Sequence, residues 1–366
     1  MNCVPSALVE PAAPSPDPGD CRSEADRREA GRRPASALEL TLRALAPWLA
    51  DPAITELCIN SPGELFVEGA AGWHRAVAPW ATFDWCRRLA KLVAHATRQR
   101  VDEESPLLSA SLPAGERIQV VLPPATLPGR VAIAIRKPAA RVWSVAELAG
   151  RGIFAGASRA RDARGAAEQA LQGLLKHADY EGFMRRAVAE RCNIVVSGPT
   201  GSGKTTWTRA LIGEIPASER LISIEDTAEL TLAGHANHVR LLYSKDDQGL
   251  ARVTPRQLLE ASLRLRPDRI LLAELRSDEA FDYLRNVNSG HPGSITSVHA
   301  GSAALAFEQL TLLVKQSRAG SELSREDIKQ LLYLTVDVVI QFGFDGHERR
   351  IREVWYEPDR KRGLSS

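Results

Sequence analysis

Cysteine is scarce in this 366-residue sequence, and its placement excludes more than its number does. Cys3, Cys21, Cys58, Cys86 and Cys192 are scattered, odd in number, and never form a C-x-x-C pair. That spacing argues against a disulfide framework or a paired zinc module and for reduced thiols in a cytoplasm-like compartment. Long apolar runs are lacking too. Nothing in the chain approaches the ~18 consecutive apolar residues needed to span a bilayer, and no basic start leads into the apolar core of a signal peptide. The expectation is a soluble protein that can still lie on a membrane surface. Charge of one sign is missing as well. A net charge of +2 gives no global basic footprint, and no basic strip interleaved with aromatics stands out. Direct binding of nucleic acid is therefore not expected. What remains is ordinary globular composition, 44% apolar and 25% charged, in a chain long enough for two cores.

Residues 1–36 are rich in Pro, Ala and Arg, with PAAPSPDPGD at Pro11–Asp20. Such a leader buries too little apolar surface to offset its ordering entropy and is expected to be disordered. From Ala37 the pattern becomes globular. Leu38, Leu42, Leu45 and Leu49 share a helix face, Ile54–Ile59 reads as a strand, and Leu65–Val67 with Trp73 reads as its return. A helix over Trp85–Thr97 and strands at Arg117–Leu122 and Val131–Arg136 complete an α+β domain over residues 37–137 with a largely antiparallel sheet. Residues 138–165 are dominated by Gly, Ala and Arg and read as an interdomain linker permitting relative motion. Residues 166–366 form the second domain.

That domain opens on NIVVSGPTGSGKTTWTRAL at Asn193–Leu211. The apolar run Ile194–Val196 predicts a buried parallel strand. Gly198, Pro199, Thr200, Gly201, Ser202, Gly203, Lys204 and Thr205 then satisfy G-x-x-x-x-G-K-[ST] in full, with Thr206 next. Glycines let backbone N–H groups turn inward as an anion nest, and the following helix adds its positive dipole end. Lys204 would reach the β- and γ-phosphates and the Thr205 hydroxyl a Mg²⁺ position, so ATP and Mg²⁺ are the expected ligands. Strands then alternate with helices: Leu221–Ile224, His238–Tyr243, Arg269–Ala273 and Ser294–Val298, each apolar run followed by helix-compatible sequence. This alternation implies a parallel α/β sheet covered on both faces, with the nucleotide outside its carboxyl ends. Val336–Phe342 and Arg350–Tyr356, flanking Asp345-Gly346, predict a closing hairpin.

Three predicted strands end in residues suited to hydrolysis. Glu274 is placed to hold Mg²⁺ or orient the attacking water. Glu225, Asp226 and Glu229 offer further carboxylates, with Glu225 and Asp226 as metal candidates. An acid at a helix start is equally well a solvated charge. His299 is suited to donate to the γ-phosphate, although a lone histidine is more often structural.

These segments together resemble a known family. GPTGSGKTT at Gly198–Thr206, ISIEDTAEL at Ile222–Leu230, LRLRPDRILLAELR at Leu263–Arg276 and GHPGSITSVHAGS at Gly290–Ser302 resemble the secretion (traffic) ATPases. The likeness is strongest to the Vir-type hexameric ATPase of bacterial type IV secretion. GERIQVVLPPA at Gly115–Ala125 and AIRKP at Ala134–Pro138 fit the same family, whereas the zinc module of type II motors is missing. The resemblance implies an α/β fold: a RecA-like P-loop ATPase domain with a parallel-rich sheet, preceded by a smaller α+β amino-terminal domain. It also implies a homo-hexamer hydrolysing MgATP beside inner-membrane channel components, peripherally attached on the cytoplasmic side. In that family's terms Lys204, Glu229, Glu274, His299 and Arg266 are catalytic. Arg117 and Arg136 are the arginines that reach the phosphates from the amino-terminal domain. A related pilus or DNA-uptake motor would share every site residue, and a RecA-like nucleic-acid translocase is the more distant alternative.

Overall fold

The computed structural model describes residues 35–364, apart from residues 140, 142, 158–164, 245–248, 278, 289, 345 and 347. The leader before Ala35 and part of the linker thus lie outside the described residues.

Ser36 caps the first helix, Ala37–Leu42, in a reciprocal box with Glu39. A 3₁₀ turn, Arg43–Leu45, and a second short helix, Ala46–Ala50, follow. Next come β1 (Ile54–Ile59), β2 (Gly63–Gly69), β3 (Gly72–Ala78), a helix over Phe83–Ala96, β4 (Leu107–Ser111), β5 (Arg117–Val121) and β6 (Ala132–Arg136). The strands pair antiparallel throughout in the order β3-β2-β1-β6-β5-β4. Side-chain alternation explains why the central strands are buried on both faces. Leu57, Ile59, Val120, Ile133 and Ile135 meet Leu89 and Val93 of the long helix. Cys58, Phe66, Val121, Ala132 and Ala134 point the other way, into a core shared with the second half of the chain. β4 is a strand the sequence did not announce. Its LLSAS has little β-branching and is ordered by pairing with β5.

The linker is not featureless. Ser144 and Glu147 cap a short helix, Val145–Gly150, and the helix Gly165–Lys176 opens the second domain. A helix over Tyr180–Ala189 then leads into β7 (Ile194–Ser197), the helix Lys204–Gly213, β8 (Leu221–Glu225) and β9 (His238–Leu242). The helix Pro255–Ser262, β10 (Arg269–Leu272), the helix Glu279–Asn288 and β11 (Ile295–Val298) continue the alternation. Helices Ala303–Gln316 and Arg325–Thr335, β12 (Val338–Phe344), β13 (Arg349–Trp355) and a last helix, Pro358–Leu364, close the chain.

Two hydrogen-bonded groups, β9-β8-β10 and β11-β7-β12-β13, stand edge to edge. Ser294 Oγ donates to Ile270 O at 2.6 Å and Leu275 N to Ser297 O at 2.9 Å, joining β10 to β11. The wall therefore runs β9-β8-β10-β11-β7-β12-β13, parallel except for β13. Inserting β11 between the phosphate-loop strand and β10 is the RecA-like order. It brings the carboxyl ends of β7, β8, β10 and β11 to one edge.

The opposite edge is held by buried arginines. Arg269 is 0% exposed and bonds Glu219 through Nε at 2.7 Å and Nη2 at 2.9 Å. Arg220, equally buried, donates to Leu265 O and Asn60 Oδ1, both at 2.8 Å, beneath the Trp73 ring. Asn60 and Trp73 belong to the amino-terminal half, so the two halves are fastened through a desolvated guanidinium. Arg264 to Ser109 and Arg266 to Glu68 add further links.

Candidate nucleotide site

The loop after β7 is shaped by close backbone approach. A Cβ on Gly198 would come within 3.0 Å of Phe342 O and 2.8 Å of Ser202 Oγ, so only glycine fits. Gly203 starts the following helix with φ at +98°, a left-handed conformation that side chains resist. Lys204 is only 8% exposed. Its ammonium folds back onto the loop, donating to Gly198 O at 2.8 Å and Pro199 O at 3.0 Å, and lies 3.2 Å from His299 Nδ1. Burial lowers the pKa of this amine, the Glu274 carboxylate opposes that shift, and the Arg276 charge adds to it. Thr205 and Thr206 stand exposed at the helix start beside exposed Pro199, Thr200 and Gly201.

The carboxyl ends of the neighbouring strands meet this lysine. His299 Nε2 lies 2.7 Å from Glu274 Oε1 without a hydrogen bond between them, and that buried oxygen has no hydrogen-bond donor among the described residues. Glu274 also pairs with Arg276, whose other nitrogen bonds Asp226 Oδ2 at 2.9 Å. Lys204, His299, Glu274, Arg276 and Asp226 thus form one continuous polar chain along the edge. Arg276 was not picked out from the sequence. Its signal was in plain view in AELR, an arginine two residues beyond a strand-end glutamate.

One expectation needs correction. Glu225, a candidate metal ligand, is 0% exposed and already saturated. Arg240 grips both its oxygens at 3.0 Å, Ser223 Oγ donates at 2.6 Å, and the Glu229 and Leu230 N–H groups at 2.8 and 2.7 Å. No lone pair is left for an ion, so Glu225 orders the acidic segment rather than holding metal. Glu229 is exposed. Its described hydrogen bonds are through its backbone, to Glu225, Thr227 and Arg209.

Arg117, Arg136 and Arg266 lie apart from the loop of their own chain. They share a cleft with Glu56, Arg264 and Ser109. Arg266 precedes β10 and bonds Glu68 at 2.9 Å, whereas the phosphate loop follows β7. In a parallel sheet those are opposite edges, separated by four-residue strands, or about 13 Å. Within one chain these arginines do not reach the loop.

The same cleft holds a titratable group. Burial raises the Glu56 carboxyl from 4.5 to about 7, partly countered by Arg136. The folded chain holds this proton more tightly than the unfolded chain. The stability it confers is therefore full below the ordinary carboxylate range and is lost as pH rises through about 7. Glu56→Gln should remove this loss. Between pH ~5 and pH ~8 the wild type should fall by on the order of 1–3 kcal/mol relative to the variant, read from denaturant midpoints.

The residues present fit a nucleotide and its metal. Gly198 leaves no room for a Cβ against Phe342 and Ser202, and among the described residues the buried Ser202 Oγ and Glu274 Oε1 have no hydrogen-bond partner. Among the described residues no group of three or more His, Cys, Asp or Glu could cage a metal alone. Mg²⁺ does not require one, since it keeps waters and takes substrate phosphates beside one or two protein oxygens.

A phosphate loop separated by one strand from its carboxylate strand defines a RecA-like P-loop ATPase. Comparison with known proteins narrows the class. The family described as type II/IV secretion system protein matches residues 48–341. The type IV secretion system protein VirB11 of Bartonella quintana is 44% identical over 340 residues, 90% of this chain and 95% of that protein. VirB11 of Brucella suis is 45% identical over 342 residues, covering 92% and 95%. The crystal structure of the VirB11 ATPase from the Brucella suis type IV secretion system, in complex with sulphate, matches with a TM-score of 0.86 at 44% identity, covering 94% of this chain and 99% of that one. The chain belongs to this family of secretion ATPases.

Proposed function

We propose that this chain hydrolyses MgATP as a ring of six and so drives assembly of, or transport through, a type IV secretion apparatus. The observation that carries the reading is the polar chain from Lys204 through His299 and Glu274 to Arg276 and Asp226. Lys204 would exchange its two loop carbonyls for β- and γ-phosphate oxygens, which offset its buried charge far better. Glu274 would orient the attacking water through the oxygen that accepts no hydrogen bond from a described residue, held in place by Arg276, while His299 turns from Glu274 to donate towards the terminal phosphate. Thr205, Asp226 and Glu274 are the side chains that would hold Mg²⁺, which when bound would offset the charge developing on the phosphates.

The arginine cleft supports the oligomer. Arg117, Arg136 and Arg266 face away from their own phosphate loop, so a neighbouring chain is the natural source of the phosphates they would meet. Among the described residues no helix is long and apolar enough to cross a membrane. Attachment to the cytoplasmic face of the inner membrane would then run through channel components or the surface. Particle images of the protein with MgATP should show closed rings of six. A monomer that hydrolyses ATP at full rate would contradict the motor.

A further inference from the structure

The phosphate loop has two flanks, and only one has been accounted for. In the order β11-β7-β12, His299 and Glu274 occupy the β11 side. A nucleotide whose terminal phosphate meets them must send its nucleoside end the other way, towards β12 and β13. That hairpin does not merely pass nearby. Phe342 closes on Gly198, as its 3.0 Å carbonyl contact to a Cβ there records, and packs with Trp207 at 5.9 Å between ring centres. Arg349, opposite Phe344 in the register, lays its stem over the loop: a Cβ on Gly203 would stand 3.2 Å from Arg349 Cδ.

We propose that Arg349 is a nucleotide-binding residue whose guanidinium pairs with the α-phosphate, the phosphate nearest the nucleoside. The residue is exposed. No described residue holds its guanidinium by a hydrogen bond or ion pair, and the adjacent Glu348 is engaged by Arg350 at 2.8 Å. An arginine on a strand of a surface hairpin is ordinarily a solvated charge. Three features set this one apart. Its aliphatic stem is fixed against the loop's last glycine, the hairpin beneath it is anchored through Phe342, and it lies on the flank opposite the hydrolytic carboxylate. A planar guanidinium there can fork two phosphate oxygens without competing with Lys204 for the β- and γ-positions.

The inference rests on the proposed nucleotide site, and the test separates the two. Binding of MgADP to the full chain is measured by calorimetry for wild type, Arg349→Ala, Arg349→Glu and Arg349→Lys, with phosphate release at saturating ATP alongside. Arg349→Ala should weaken ADP binding about tenfold, as loss of one exposed charge-assisted pair implies. Arg349→Glu should weaken it further, and Arg349→Lys should recover only part. The maximal turnover rate should move much less than the affinity, because the contact is made equally before and during hydrolysis. ADP affinity within about twofold of wild type in both Arg349→Ala and Arg349→Glu would overturn the proposal. So would a loss confined to the turnover rate. Failure of the wild type itself to bind ADP would instead remove the nucleotide site.

Discussion

Replacing Lys204 by alanine should lower ATP turnover by about a thousandfold or more while the chain stays folded. The size of the effect follows from position. Lys204 is the one lysine of the loop, and burial already lowers the cost of moving its ammonium from two carbonyls to a phosphate. Removing it leaves the developing charge on the γ-phosphoryl group without its nearest cation. Stability should hardly change, because the substitution also relieves the cost of burying a charge, and the carbonyls of Gly198 and Pro199 lie beside exposed loop residues. Phosphate release and thermal unfolding, measured on the same preparation, give both readings. Turnover within a few-fold of wild type would mean that hydrolysis occurs elsewhere.

Glu225→Gln should do the reverse, costing stability first. The carboxylate accepts five hydrogen bonds in a fully buried position, two of them from Arg240. An amide would turn a donor towards the guanidinium and leave a buried charge unpaired, a loss of about 3 kcal/mol. The denaturant midpoint should fall with little change in slope. A cycle with Arg240→Met should show that the two losses are not additive. If Glu225→Gln instead unfolds like the wild type but needs far more Mg²⁺ for turnover, the carboxylate is a metal ligand after all.

Glu225 also shows where the sequence stopped being legible. ISIEDTAEL places three acids after a strand, and a strand-end acid beside a phosphate loop reads as functional. Whether a given oxygen is free depends on Arg240, fifteen residues away on β9, and no local pattern discloses that pairing. Asp226 and Glu225 are neighbours in sequence, yet alternation sends one to the site edge and the other into the core. The loop, β7, β10 and β11 were readable because each combines an apolar run with a chemically marked end. β4 was not, because its residues carry no strand signal apart from their partner. The arginine cleft was opaque for a further reason. Arg117, Arg136 and Arg266 are brought together by the docking of one half of the chain on the other, through Arg220, Asn60 and Glu68. Only the assembled halves reveal that the cleft faces away from its own loop. Arg349 belongs to the same category: its place over Gly203 is a consequence of the parallel pairing of β12 with β7.

In the proposed ring, each chain carries a hydrolytic site which a neighbouring chain completes. Turnover per chain, measured across protein concentrations with sedimentation on the same samples, tests it most directly. A specific rate that climbs with the fraction of chains in rings, and levels off when assembly is complete, is the predicted result. A specific rate that is the same for isolated chains and for rings would contradict it.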